Sequence, residues 1–488
     1  MNTLAKDSAV YGLSSILSKF IAIFFIPILT RIFSPSDYAI IDLITVFTSL
    51  IILIASINLE SAVGRFFYDD NDELESLRYL LSTALICSII GGILATSILW
   101  FFSGSICKWF LGDTFNLWAF RIAIITVPLT AIYNQFIIVL RLMRKPWVFL
   151  LLNVSFVIIS FILVILFIIY LEIGLQGYFL ANLCTTLVCV IICFIYLKSF
   201  YRILFSRKHL KKMLKYSLPQ LPSVVANWCM TSFNRFIMVG YLSRMDIGLF
   251  AIGSKVASIA MVIVSVFRMA WDPLAISIYK TDNAKEIYVK AFEAYGTVVV
   301  LGVALIGFFS KEILTILTTP EYYGASLLTS VLVLQFLAQG FTNIVGIGIS
   351  IEKKTHILSY AMILALLILL ICSYILIPIF GAMGAAWANV MGAWTAFVIV
   401  YLFAQRFYPV NYQIRLLLKW ITFYLILITI GNLIVPVYLS HQSYIFVIKL
   451  IIFMVAGVFY SFFIVNKNWR DFLITKFSNY ILNKSSNN

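Results

Sequence analysis

Apolar runs of about 20 residues or more succeed one another along the whole chain, interrupted by short polar stretches. A hydrocarbon core about 30 Å thick takes roughly 20 helical residues to cross. An open sheet would leave its edge hydrogen bonds unmet in lipid, so helices are the expected form. The runs predict about fourteen spans, at approximately 8–33, 39–60, 79–102, 117–140, 147–170, 175–197, 217–241, 248–269, 289–309, 325–349, 357–377, 382–403, 418–438 and 444–465. The stretch 8–33 is too long for the apolar part of a signal peptide and shows no small-x-small cleavage site, so it reads as a retained first span.

Lysine and arginine test that partition. With the N-terminus inside, about 25 bases fall in inner segments, among them Arg141, Arg144, Lys145 and the run from Lys198 to Lys215. The outer loops hold about three: Lys108, Arg244 and Lys311. A miscounted span would reverse this bias downstream, and it does not reverse. Both termini are therefore expected in the cytoplasm.

Composition removes the soluble alternatives. Of 488 residues 62% are apolar and 11% charged, with a mean hydropathy of +1.03; soluble domains run near 45–50% and about 25%. The formal net charge of +15 would point to nucleic acid in a soluble chain. Here it belongs to inner loops and to the protein interior, and nucleic acid is not an expected partner. The loop 198–215 and the tail from Trp469 to Ile481 mix bases with aromatics and leucines, as a helix lying on anionic membrane lipids does. The seven cysteines form no C-x-x-C pair, His209, His356 and His441 are scattered, and there is no Walker A sequence. No cofactor, metal or catalytic constellation is expected.

Two short patterns recur at a separation of about 200 residues. Ser34-Pro-Ser-Asp37 precedes the second span and Ser243-Arg-Met-Asp246 the eighth; Gly174-Leu-Gln-Gly177 precedes the sixth and Gly381-Ala-Met-Gly384 the twelfth. Six helices per repeat is an even number, so both copies would insert the same way, as two six-helix lobes about an axis along the membrane normal. The expected organisation is an N-lobe at 1–197, a basic linker helix at 198–216, a C-lobe at 217–403, two further spans in 404–465 and a cytoplasmic tail at 466–488. The fold class is all-α and polytopic.

Polar residues at helical spacing mark faces turned away from lipid. Such faces occur on spans one (Ser8, Gly12, Ser15, Lys19), two (Asp42, Thr45, Ser49, Ser56, Glu60) and four (Thr126, Thr130, Asn134). They recur on seven (Gln220, Ser223, Asn227, Thr231, Asn234), eight (Ser254, Lys255, Ser258, Ser265) and ten (Gln335, Gln339, Asn343, Gly346). The same three positions in each repeat are wet, which predicts a lined cavity. Lys19 lies about 21 Å from the outer end of its span, and Arg235 and Lys255 about 9–11 Å deep on consecutive helices. Ionised groups at such depth cost about 2.5–3.5 kcal/mol each, so these three are functional candidates. Arg31, Arg121, Arg268 and Lys449 are near enough to span ends to snorkel. Few acids accompany the deep bases, so a cationic cavity for an anionic substrate is expected, with Asp42 and Glu60 as candidates for coupling. Pro219 and Pro222 form the expected hinge.

The fourteen-span plan, the repeated S-x-x-D turn, Arg65-Phe-Phe-Tyr-Asp-Asp-Asn-Asp-Glu73 after span two, and Leu218-Pro219 with Asn234-Arg235 resemble polysaccharide flippases. These are the O-antigen branch of the multidrug/oligosaccharidyl-lipid/polysaccharide exporter superfamily. The resemblance covers roughly residues 8–465. One departure is that the family's frequent Asp-Arg pair in span seven is Asn234-Arg235. The resemblance implies a bacterial inner-membrane protein that flips an undecaprenyl-pyrophosphate-linked oligosaccharide by alternating access, alongside other polysaccharide assembly proteins. Lys19, Arg235 and Lys255 would then meet the pyrophosphate, with Asn227, Asn234, Gln339 and Asn343 at the sugar. The alternatives are a lipid II-type precursor flippase, a cation-coupled drug exporter of the same superfamily and, from another class, a membrane glycosyltransferase or polymerase.

Overall fold

The computed structural model describes residues 10, 12–14, 16–18, 20–21, 23–69, 74–352, 354, 356–435 and 442–460, and every regular element among them is helical. The elements begin with α1 (Phe25–Ile32), α2 (Pro35–Ser56), α3 (Leu59–Phe66), α4 (Leu74–Phe101), α5 (Ser103–Leu111) and α6 (Leu117–Leu142). They continue with α7 (Pro146–Ile165), α8 (Leu175–Leu197), α9 (Arg207–Ser232), α10 (Asn234–Tyr241), α11 (Arg244–Ala257) and α12 (Ile259–Ile278). The last are α13 (Ala284–Phe308), α14 (Ser310–Leu317), α15 (Ala325–Ile351), α16 (His356–Phe407), α17 (Ile414–Thr429) and α18 (Gln442–Phe459). Among the described residues 10 helical stretches are long and apolar enough to cross a membrane. One of them, α16, is interrupted at Gly381, where φ is 59° and ψ −138°, so the expected spans eleven and twelve meet inside it. Outward faces such as Ile90, Leu94, Ile98 and Phe101 of α4 are exposed and wholly apolar, a surface that water would not tolerate but lipid does.

Both recurring patterns have a structural cause. Ser34 caps α2 by accepting from the Asp37 N–H at 3.3 Å, while the Asp37 carboxylate accepts from the Ser34 N–H at 3.2 Å. Ser243 accepts from the Asp246 N–H at 3.2 Å and donates to the Asp246 carboxylate at 2.7 Å. The S-x-x-D turns are thus helix starts that satisfy otherwise orphaned backbone donors. In the glycine pattern the first residue takes the same unusual backbone, φ 68° and ψ −142° at Gly174, matching Gly381. The fourth residue lets a preceding helix pass close: a Cβ on Gly384 would meet the Leu376 carbonyl oxygen at 2.1 Å, and one on Gly177 the Phe167 carbonyl oxygen at 3.1 Å.

By their contacts the residues form two compact units, Met1–Ala251 with Leu370–Ala385, and Ile252–Leu369 with Ala386–Asn488. In the first, α3, α4, α6 and α8 share a buried core that includes Phe67, Leu80, Tyr133, Phe136, Cys189 and Cys193, and the linker residues Tyr201 and Met213 join it. Burial of Cys189 and Cys193 makes them packing residues rather than lipid surface. The linker differs from expectation in one respect. The helix that starts at Arg207, capped by Ser206, runs without a break through position 216 to Ser232, with Pro219 and Pro222 inside it.

In the second unit an aromatic core of Phe292, Tyr295, Phe341 and Trp420 surrounds close-packed glycines on α13 and α15. Lys449 corrects the snorkelling expectation. Its side chain is 1% exposed and its Nζ donates to both Glu312 carboxylate oxygens, at 2.9 and 2.8 Å, and to Asn432 Oδ1 at 3.2 Å. The short helix α14 brings Glu312 to it, which gives the ammonium a partner instead of a path to water.

Candidate functional site

The polar stripe of α2 runs through two environments within the first unit. Its capped end is closed. Gly248 of α11 lies so close to α2 that a Cβ there would fall 1.8 Å from the Pro35 carbonyl oxygen. One turn and more along, Asp42 Oδ2 accepts from Arg235 Nε at 3.3 Å, the two side chains being 14% and 9% exposed. Arg235 also donates through Nη1 to the Thr231 carbonyl at 2.7 Å and to Asn234 Oδ1 at 3.2 Å, and its guanidinium lies 5.0 Å from the centre of the Phe250 ring. Further along, Phe47, Phe110 and Phe236 meet, with Phe110 and Phe236 centroids 4.8 Å apart, and Trp228 Nε1 donates to Ser49 Oγ at 2.9 Å.

A second ion pair flanks this seal. Arg244 donates to the Leu111 carbonyl and to Asp113 Oδ2 in the loop before α6. The Arg244 hydrogen bond holds the Asp113 carboxyl below the usual carboxylate range.

Beyond Ser49 the same helix lines a cavity of about 550 Å³. Ser49, Ser56, Asn58 and Glu60 contribute from the α2–α3 side, Thr130, Asn134 and Arg141 from α6, Phe149 from α7 and Val224 from α9. At 1.5 Å per residue, roughly 21 Å of α2 is sealed and roughly 10 Å borders the cavity. Between α2 and α3 the chain turns through Ile57 and Asn58, both left-handed at φ 51° and 55°, a conformation that a β-branched side chain resists. The hydroxyls of Thr126 and Thr130 donate to carbonyls of their own helix. Thr130 therefore offers the cavity acceptor lone pairs, while Asn134 brings both an acceptor and donors.

The expected wet faces of spans two and four thus meet at one cavity, which Glu60 lines. Asp42 stands on the same stripe but in the seal. Asn227 is exposed and Asn234 buried beside Arg235. Lys255 is exposed, and Gln339 and Asn343 are half-buried, all three in the second unit. Lys19 lies outside the described residues. The expectation that Arg235 lacks an acid is corrected: Asp42 supplies it from a helix far away in sequence. Sequence reasoning missed Arg141 and Asn58 as cavity residues. The sequence groups Arg141 with the inner loops, although its place seven residues, or two helical turns, beyond Asn134 of the polar stripe of span four is a usable signal. Among the described residues no group of three or more His, Cys, Asp or Glu could hold a metal.

Residues 28–323 match a family described as polysaccharide biosynthesis protein. No curated protein matches the chain by sequence. Among solved structures, the lipid II flippase MurJ in an inward closed conformation is similar at 15% identity and a TM-score of 0.73, over 93% of this chain and 98% of that one. An inward-facing multidrug resistance MATE family transporter of the MOP superfamily gives 16% and 0.64, over 82% and 97%. An outward-facing member of that family gives 18% and 0.54, over 82% and 95%.

Proposed function

The chain belongs to the polysaccharide biosynthesis protein family, and from that premise we propose that it is a transporter of the MOP superfamily that flips a lipid-linked saccharide across the bacterial cytoplasmic membrane by alternating access. Each sugar hydroxyl stripped of water in hydrocarbon costs several kcal/mol, so the head group needs a polar passage while its lipid tail stays in the bilayer. The observation that carries the reading is the divided stripe of α2: acceptors and an amide facing a cavity at one end, ion pairs and aromatics at the other. The bias of bases assigns the Arg141 end to the cytoplasm. The cavity then admits the head group from inside, and the Arg235–Asp42 and Arg244–Asp113 pairs close the outer side. The fourteen-span, two-lobe plan belongs to the same proposal, as do Lys19, Lys255, Gln339 and Asn343 as contacts of the substrate.

Arg235 acts here as an exchange site. Its charge is compensated by Asp42 in the sealed state and passes to a substrate phosphate when α2 and α10 separate. Asp42 is accordingly the stronger coupling candidate, Glu60 the weaker. Family membership supports an undecaprenyl-pyrophosphate-linked polysaccharide repeat unit, O-antigen or similar, as substrate. A second reading, a lipid II-type peptidoglycan precursor, is supported by the MurJ likeness, which spans 93% of the chain against 82% for the drug transporters. The test is complementation. In a strain lacking its repeat-unit flippase, the native chain should restore surface polysaccharide, and Ser56→Leu with Asn134→Leu should abolish it at normal membrane abundance. Full polysaccharide from the filled cavity would refute the passage. Rescue only of a strain depleted of its peptidoglycan-precursor flippase would select the second reading.

A further inference from the structure

From Ile173 to Met245 the chain contains no acidic residue, yet it carries Lys198, Arg202, Arg207, Lys208, Lys211, Lys212 and Lys215 within a short central stretch. The structure sorts those from Arg207 onward onto two sides of α9. One side is fastened to its neighbours. His209 Nδ1 lies 2.9 Å from Ser206 Oγ, its Nε2 lies 3.2 Å from Ser76 Oγ, and its ring stacks on Tyr79. The Arg202 and Ser206 N–H groups donate to Ser82 and Thr83 of α4, and Lys212 lies over the Phe66 ring. Met213 and Ser217 are fully buried on this side.

The other side is a shallow groove of about 530 Å³ formed by Arg207, Leu210, Lys211, Leu214, Lys215 and Leu218. Positions 207, 211, 215 and 218 follow helical spacing, so cations and leucines share one stripe. Lys208 is exposed beside it; Ile203 is 100% exposed, and Phe205 is exposed as well. Depth follows from length. Together α9 and α10 extend roughly 50 Å, against a hydrocarbon core of about 30 Å. Because α9 is continuous past the expected linker boundary, its first turns stand at the height of the phosphates, where leucines reach acyl chains and lysines reach head groups.

We infer that this face of α9 is a seat for anionic phospholipid of the inner leaflet, with the lipid phosphate held among Arg207, Lys208, Lys211 and Lys215 and the acyl chains against Leu214 and Leu218. The charge argument commits it to an anionic lipid, since four clustered cations with no carboxylate on the same stretch gain little from a zwitterion. Each base near an anionic surface is worth about a fivefold gain in partition. The seat is independent of what the transporter carries.

The full chain in nanodiscs of equal phosphatidylglycerol and phosphatidylcholine, released into detergent and weighed by native mass spectrometry, tests this. The native protein should retain phosphatidylglycerol over phosphatidylcholine by about tenfold or more. Arg207→Gln with Lys208→Gln, Lys211→Gln and Lys215→Gln should bring that ratio near one, while Lys→Arg at the three lysines should preserve it and so exclude a folding defect. Equal retention of the two lipids by the native chain, or an unchanged ratio in the glutamine variant, would overturn the inference. Displacement of the lipid by a short-chain polyprenyl pyrophosphate but not by added phosphatidylglycerol would overturn it too, assigning the groove to substrate.

Discussion

Arg235 enters a nearly dry site and meets a carboxylate, an amide oxygen, a backbone carbonyl and an aromatic face. Removing one partner of a buried ion pair leaves the other charge uncompensated, at a cost of about 3–5 kcal/mol. Asp42→Asn is therefore expected to lower the thermal unfolding midpoint in detergent markedly. Pairing Asp42→Leu with Arg235→Met should recover most of the loss while still abolishing transport, because the packing returns but the charge does not. An unchanged midpoint in Asp42→Asn would mean the pair contributes nothing to the sealed state. Arg235 was legible in the sequence, since a base inside an apolar run stands out. Its partner was not: Asp42 is joined to it only by tertiary packing. Lys449 failed for the same reason, because nothing local to it announces that α14 will deliver Glu312.

Among the elements, α2 positions the site, and its start was readable from four residues. Ser34→Ala should cost about 1 kcal/mol through the lost cap, measurable as a modest fall in the unfolding midpoint. Gly248→Ala tests the seal more sharply, since the added methyl would strike backbone rather than a side chain that can yield. With Asp113→Cys and Arg244→Cys as reporters, in a chain whose Cys107 is replaced by serine, Gly248→Ala is expected to reduce disulfide crosslinking severalfold. Undiminished crosslinking would show that α2 and α11 do not need their close approach. The repeated G-x-x-G and S-x-x-D patterns were legible because turns and caps are local chemistry. The unbroken course of α9 was not, since Pro219-x-x-Pro222 reads as a hinge by sequence, whereas a helix packed along α3 and α4 can carry both prolines.

For the whole molecule, the account requires an outer closure that holds at neutral pH and yields to competition. Arg244 depresses the Asp113 carboxyl, and a group whose folded value is lowered contributes above its unfolded value, its contribution fading as pH falls through the folded one. The pair should accordingly be constant across the neutral range and weaken only in strong acid. Being 38% exposed on both sides, it should also weaken in high salt. Hydrogen exchange of the 111–117 amides, corrected for intrinsic rates, should show that order; loss of protection near neutrality would point to another titrating group. The central claim is passage of a lipid-linked saccharide through the cavity beside α2. Its most direct measurement is a reconstituted flipping assay, in which a fluorescent polyprenyl-pyrophosphate oligosaccharide in proteoliposomes is quenched by an impermeant reagent. The native chain should make the protected half of the probe accessible, and the Ser56→Leu, Asn134→Leu chain should leave it protected. Equal access with both chains, or none with the native chain for either a repeat-unit or a lipid II-type head group, would contradict the account.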